Sequence, residues 1–142
     1  MTTVPSVPLS ESIASLSADG NERAWTDFVE RLRFAQLGVV AQGMPSHFTT
    51  YRVRASEVGL GKTRTPNGLM VLAAADPDVY RMRYPAQPFN ATMHAVSMFR
   101  TALANPDCAG VLINSAASAL SLPLSRDQIV EIVARIDRAS RE

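Results

Sequence analysis

Apolar side chains change their spacing several times along this chain, and each change marks an element. From Glu22 they fall at Trp25, Phe28, Val29 and Leu32, the i, i+3, i+4, i+7 stripe of a helix with one buried face. Asn21 stands where an N-cap is expected. Glu22 adds negative charge to the first turn, where the helix dipole favours it. The run Gly38 to Gln42 (GVVAQ) then predicts a strand, closed by Gly43 and Pro45. Thr49 to Arg54 (TTYRVR) predicts another, with Tyr51 and Val53 on one face and Arg52 and Arg54 on the other. Gly68 to Ala74 (GLMVLAA) is a continuous apolar run of strand length, as a central strand buried on both faces requires. The turn signal Pro66-Asn67-Gly68 predicts a hairpin between these last two strands, with a long loop from Gly59 to Gly68.

The second half reads more sharply. Asp76 can cap a short helix through Tyr80, with Pro77 at its first position. Pro85 and Pro88 bracket a non-helical link. Met93, Val96, Phe99 and Leu103 predict a helix over Ala91 to Ala104 that ends before Pro106. Gly110 to Asn114 and Ala119 to Leu124 read as short strands around a Ser/Ala turn. Arg126 opens an amphipathic helix with Ile129, Ile132, Val133 and Ile136 inward. Residues 1–20 are expected as a flexible N-terminal arm, carrying a short helix over Ser10 to Leu16, and residues 21–142 as the folded part. The predicted class is α+β: a single domain with a mostly antiparallel or mixed sheet of about five strands, covered by helices.

Composition narrows the function classes. A chain of 142 residues, 46% hydrophobic and 19% charged, can build one core without staples. Its net charge of +1 lacks the basic excess of a dedicated nucleic-acid binder. No apolar run approaches the roughly 20 residues that span a bilayer, and no secretory signal is read at the start, so a cytoplasmic location is expected. Cys108 is the only cysteine, which excludes an internal disulfide; past a helix C-terminus it reads as a small apolar filler.

Candidate chemistry is sparse. Gly59-Leu-Gly-Lys62-Thr63 invites comparison with a phosphate-binding loop, but Ser56 stands where that motif needs its first glycine, and a turn follows in place of a helix. His47 and His94 have no Cys or carboxylate at metal-ligand spacing, so no metal or other cofactor is expected. Ser115 and Ser118 lack a nucleophile elbow and read as turn residues. The one conspicuous cluster is Arg52, Arg54, Lys62, Arg64, Arg81 and Arg83, opposed by only Glu57, Asp76 and Asp78 between those ends. It is the candidate interaction surface for an anionic partner such as an acidic protein tail. A solvated polar strand face would show the same pattern.

The strand at Gly68 to Ala74 with the following Asp-Pro-Asp-Val-Tyr80, the Met93 to Leu103 helix, Gly110 to Asn114, Leu120 to Leu124 and Ile129 to Val133 resemble, in order and patterning, the SseB-like family of bacterial α+β modules. The Trp25 helix and the Gly38 strand fit the same order. The resemblance spans residues 22 to 136, with Ala74-Ala75 and Ser115 departing from the family pattern. It implies a non-enzymatic interaction or regulatory domain, in a family whose names are tied to enhanced serine sensitivity and type III secretion, and it supplies no catalytic residues. The expected partner is a protein of unknown identity, with a homodimer as one form; neither nucleic acid nor membrane is expected. The alternative is a small-molecule binder or enzyme that uses Arg52, Arg54 or Arg64 against an anionic ligand between sheet and helices.

Overall fold

The computed structural model describes residues 6–41 and 60–141. The strand expected at 49–54, with Arg52 and Arg54, lies outside the described residues, as do His47 and the first five residues. Among the described residues the elements run α1 (Pro8–Ala18), α2 (Glu22–Leu32), β1 (Gln36–Val39), β2 (Lys62–Thr65), β3 (Gly68–Ala74), α3 (Pro77–Arg83), β4 (Ala91–His94), α4 (Ala95–Ala104), β5 (Gly110–Asn114), β6 (Ser121–Ser125) and α5 (Arg126–Arg141). The class is α+β, on one mixed sheet ordered β4-β1-β3-β5-β6, with β2 also paired to β3.

Strand β3 is the hub because its side chains are apolar on both faces. One edge pairs in parallel with β5 over Met70–Ala74. The opposite edge is shared: β2 pairs with Gly68–Val71 and β1 with Ala73–Ala74, both antiparallel. Val71 and Ala73 point into the main core, which they share with Leu9 and Ile13 of α1, Phe28 and Leu32 of α2, Met98 and Phe99 of α4, and Ile129 and Ile132 of α5. Ala74 points the other way, into a smaller cluster with Val79, Tyr80 and Phe89 beneath α3. Tyr80 meets Phe89 edge-on at 5.2 Å between centroids, a favoured aromatic geometry.

Strand β1 begins two residues before the expected Gly38 and α3 runs on past Tyr80 to Arg83; three further elements differ from the sequence reading. The helix expected from Ala91 begins only at Ala95; Ala91–His94 is an edge strand paired along its full length with β1. Burial alternates there, with Ala91 and Met93 inside, and a strand satisfies the β1 backbone where a helical turn could not. Four residues read as hairpin loop, Lys62–Thr65, are strand β2, so the turn into β3 is tight and its ladder short. The short helix expected over Ser10 to Leu16 extends over Pro8–Ala18 and is docked, with Leu9 and Ile13 buried in the main core.

Several polar contacts set the ends of these elements. Asn21 caps α2, its Oδ1 accepting from the Ala24 amide at 2.8 Å. At the end of β1, the buried Asn90 side chain stands in for a neighbouring strand. Its Oδ1 accepts from the Ala41 amide at 2.7 Å, and its Nδ2 donates to the Ala41 carbonyl at 3.0 Å. There Ala41 bridges to Leu60, and the Gly61 amide donates to the Val40 carbonyl at 2.7 Å. Arg126 opens α5 but reaches back to the end of α4. Its Nη1 donates to the carbonyls of Ala102, Asn105 and Cys108 at 3.2, 2.9 and 2.9 Å, and its Nη2 to that of Leu103 at 2.7 Å. Gly110 has φ +152°, and a Cβ there would stand 1.9 Å from the Leu124 carbonyl oxygen, so the start of β5 accepts only glycine.

Candidate binding cleft

Four chain segments meet at one end of the sheet: the start of α1, the end of α2, the first residues of β1 and the start of α3. Between them lies a cleft of about 560 Å³ lined by Pro8, Leu9, Glu30, Arg31, Phe34, Ala35, Gln36, Asp76, Pro77 and Asp78. That volume falls in the range of sites that hold ligands.

Asp76 organises this corner. It occupies the left-handed region at φ 47°, ψ 62°, a conformation that a short polar side chain tolerates. The sequence assigns it to cap α3, and it does stand at that N-cap position, but its carboxylate makes no cap bond there. It caps α1 instead, from 66 residues away: Oδ2 accepts from the Ser10 amide at 2.8 Å and Oδ1 from the Leu9 amide at a long 3.4 Å. Helix α1 needs this because Val7, at its own N-cap position, offers no side-chain oxygen. The Ser10 hydroxyl, fully buried, accepts from the Ala116 amide at 2.8 Å and ties the same turn to the β5–β6 connection.

The opposite wall comes from α2. Arg31 holds α1 against it, pairing with Asp27 at 3.2 Å and Glu11 at 3.6 Å and donating to the Pro8 carbonyl. Phe34 follows the helix and is 74% exposed, with the Arg33 guanidinium carbon 5.0 Å from its ring centroid. Such stacking is favourable by about 0.5–1 kcal/mol at exposed sites. Gln36 contributes a buried Oε1 that accepts no hydrogen bond from the described residues. A buried acceptor left unmatched is unfavourable by about 1–3 kcal/mol.

The candidate basic cluster does not converge on this cleft. Lys62 and Arg64 are exposed on β2, directly opposite Val71 and Leu69. Opposed residues share a face, so they belong to the side of the sheet that carries the main core. Arg81 and Arg83 lie on α3, which packs on the other side; Arg83 donates to the Ala117 carbonyl at 3.2 Å. The four described members therefore come from two faces. Lys62 does line a separate groove of about 420 Å³ with Leu60, Val71, Thr101, Ala104, Asn105 and Pro106. It stands in a strand there, without the loop-to-helix geometry of a phosphate cradle.

The remaining candidates take structural places. His94 ends β4 and caps α4, its Nδ1 accepting from the Val96 amide at 3.3 Å. Cys108 is buried, its thiol donating to the Gly110 carbonyl at 3.0 Å. Ser115 and Ser118 accept from the amides of Ala117 and Leu120, as turn residues do. Burial pushes the Tyr80 phenol above its ordinary value of 10.0, while a hydrogen bond from Asn114 opposes the shift. Among the described residues no three His, Cys, Asp or Glu side chains are grouped as a metal site, and no helix is long and apolar enough to cross a membrane.

Sequence reasoning missed Phe34 and Asp76. A signal existed for Phe34: it lies about 180° around the helical wheel from Trp25, opposite the buried stripe. None existed for the long-range role of Asp76, because Asp-Pro is a complete local cap signal by itself. Comparison with protein-family models, with curated proteins and with solved structures finds no match.

Proposed function

We propose that this domain is a protein-interaction module that binds its partner at the α1–α2–α3 cleft by non-covalent contact. The observation that carries the reading is Phe34, a large aromatic left 74% exposed at the edge of a cleft walled by Pro8, Leu9, Ala35 and Pro77. Aromatic and arginine side chains are the residues enriched at energetic centres of interfaces, and here Arg33 and Phe34 stack. Membership of the SseB-like family, which we carry forward as part of this proposal, implies a non-enzymatic role of the same kind.

The test is affinity capture from a bacterial lysate with the tagged chain, beside Phe34→Ser and a Lys62→Ser/Arg64→Ser double variant. A protein retained by the parent chain and lost with Phe34→Ser is the expected result. Loss only with the double variant moves the contact to the β2 face. Equal recovery on all three removes both surfaces from the proposal.

The Lys62 groove supports a second reading, an anionic small ligand held by the ammonium with Thr101 and Asn105 alongside. Thermal stabilisation by inorganic phosphate or citrate that disappears in Lys62→Ser is the outcome that favours it.

A further inference from the structure

From the charges around the cleft, and resting on the interaction reading above, we infer the chemistry of the partner: a cationic polypeptide segment carrying one large apolar anchor residue. The cleft and the ion pairs of its walls bring together five carboxylates, those of Glu11, Asp27, Glu30, Asp76 and Asp78. Two guanidiniums, Arg31 and Arg33, stand against them. Arg31 is already matched by Asp27 and Glu11, so its charge is not available to an incoming anion. Asp76 is matched by the amides of α1. Glu30 lies 3.6 Å from Arg33 with its side chain largely exposed, and Asp78 is exposed. The local excess is negative on a chain whose net charge is +1. A positively charged segment is drawn to this corner and an anionic one is repelled.

The surface also continues. A shallow depression of about 590 Å³ runs along the exposed side of α2 over Glu22, Arg23, Thr26, Asp27 and Glu30, sharing Glu30 with the cleft. Its lining carries Glu22, Asp27 and Glu30 against Arg23, with Arg135 standing 3.0 Å from Glu22 as a second counter-charge. A compact ligand would fill only the cleft, whereas a chain segment can seat an apolar side chain between Leu9, Phe34 and Pro77 and lay flanking Lys or Arg residues along α2. Gln36 adds an unmatched buried acceptor on the cleft wall, which a donor from such a segment would satisfy once the amide turns.

The experiment is selection of a displayed random peptide library on the full chain, followed by titration of the enriched peptide against parent, Phe34→Ser and Glu30→Lys/Asp78→Lys proteins. All three substituted side chains are exposed, so circular dichroism and melting curves should match the parent. Enriched peptides are expected to combine two or more Lys or Arg with one Leu, Phe or Trp. Phe34→Ser should weaken binding about tenfold or more. Glu30→Lys/Asp78→Lys should weaken it similarly and flatten its salt dependence. Acidic or uncharged peptides that still depend on Phe34 would overturn the inferred charge and leave the cleft reading standing. Selection of no Phe34-dependent peptide would overturn both.

Discussion

Two of the helix ends that are finished by a charged side chain from elsewhere in the chain are opposites in more than sign. The C-terminal end of α4 receives the Arg126 guanidinium, which gathers four carbonyls at 2.7–3.2 Å. The N-terminal end of α1 receives the Asp76 carboxylate, which holds one amide at 2.8 Å and another at 3.4 Å. Each charge complements the dipole end it meets. Arg126 is part-buried and joins two neighbouring helices of the main core, so its task is cohesion. Asp76 lies on the wall of the cleft, 66 residues from the helix it caps, so with Arg31 and Ser10 it sets the position of α1 and the shape of the binding corner. The stronger cap is where the fold is closed; the weaker one is where we place the partner.

The largest effect expected from breaking this comparison is at Arg126. Arg126→Ala removes charged donors from four carbonyls, and urea unfolding should show a loss of about 3 kcal/mol, a fall in Tm of roughly 6–12 °C. Its hydrogen-exchange protection should fall across α4 and α5 together. Asp76→Ala should cost about 2 kcal/mol, because it removes the cap and leaves the left-handed backbone without the short polar side chain that tolerates it. Asp76→Asn keeps an acceptor and tolerates that backbone, so the loss should stay below about 1 kcal/mol. In both Asp76 variants exchange should rise at the α1 amides and leave α5 unchanged; uniform loosening would show that α1 is not a separable unit. Ser10→Ala strips the acceptor from the Ala116 amide and should cost about 1–2 kcal/mol. The smallest effect belongs to Arg100→Ala. Its pair with Asp137, at 2.6 and 2.8 Å, also bridges α4 and α5, but in water. Less than about 1 kcal/mol is expected there. A larger loss would mean that charge alone, without burial, explains Arg126.

The fold was legible where one element carries its own periodicity. The Trp25 stripe, the apolar run of β3, the β5 and β6 strands and the Ile129 to Ile136 helix face stand in the structure as their spacing predicts. β4 was not, because Ala-Thr-Met-His continues the apolar spacing of Val96, Phe99 and Leu103, and only pairing with β1 makes it a strand. β2 was hidden for a related reason: Lys-Thr-Arg-Thr has no apolar alternation, and its strand state is imposed by β3. The basic cluster shows the limit of proximity along the chain. A hairpin places Lys62 and Arg64 on one side of the sheet, and the next helix carries Arg81 and Arg83 to the other. The cleft assembles four segments that no local pattern links, and the local signal at Phe34, opposite its helix's apolar stripe, was missed.

The clamp at Ala41 has a consequence for how this domain can be remade. Asn90 satisfies both backbone groups of Ala41, and the Ala41–Leu60 bridge and the Gly61 amide hold the exit and the return of the chain side by side. The sheet is therefore closed at that junction by its own bonds. Ala41 and Leu60 thus form a graft point, where a foreign loop, epitope or sensor domain with closely spaced ends can be inserted while β1, β3 and the cleft keep their register.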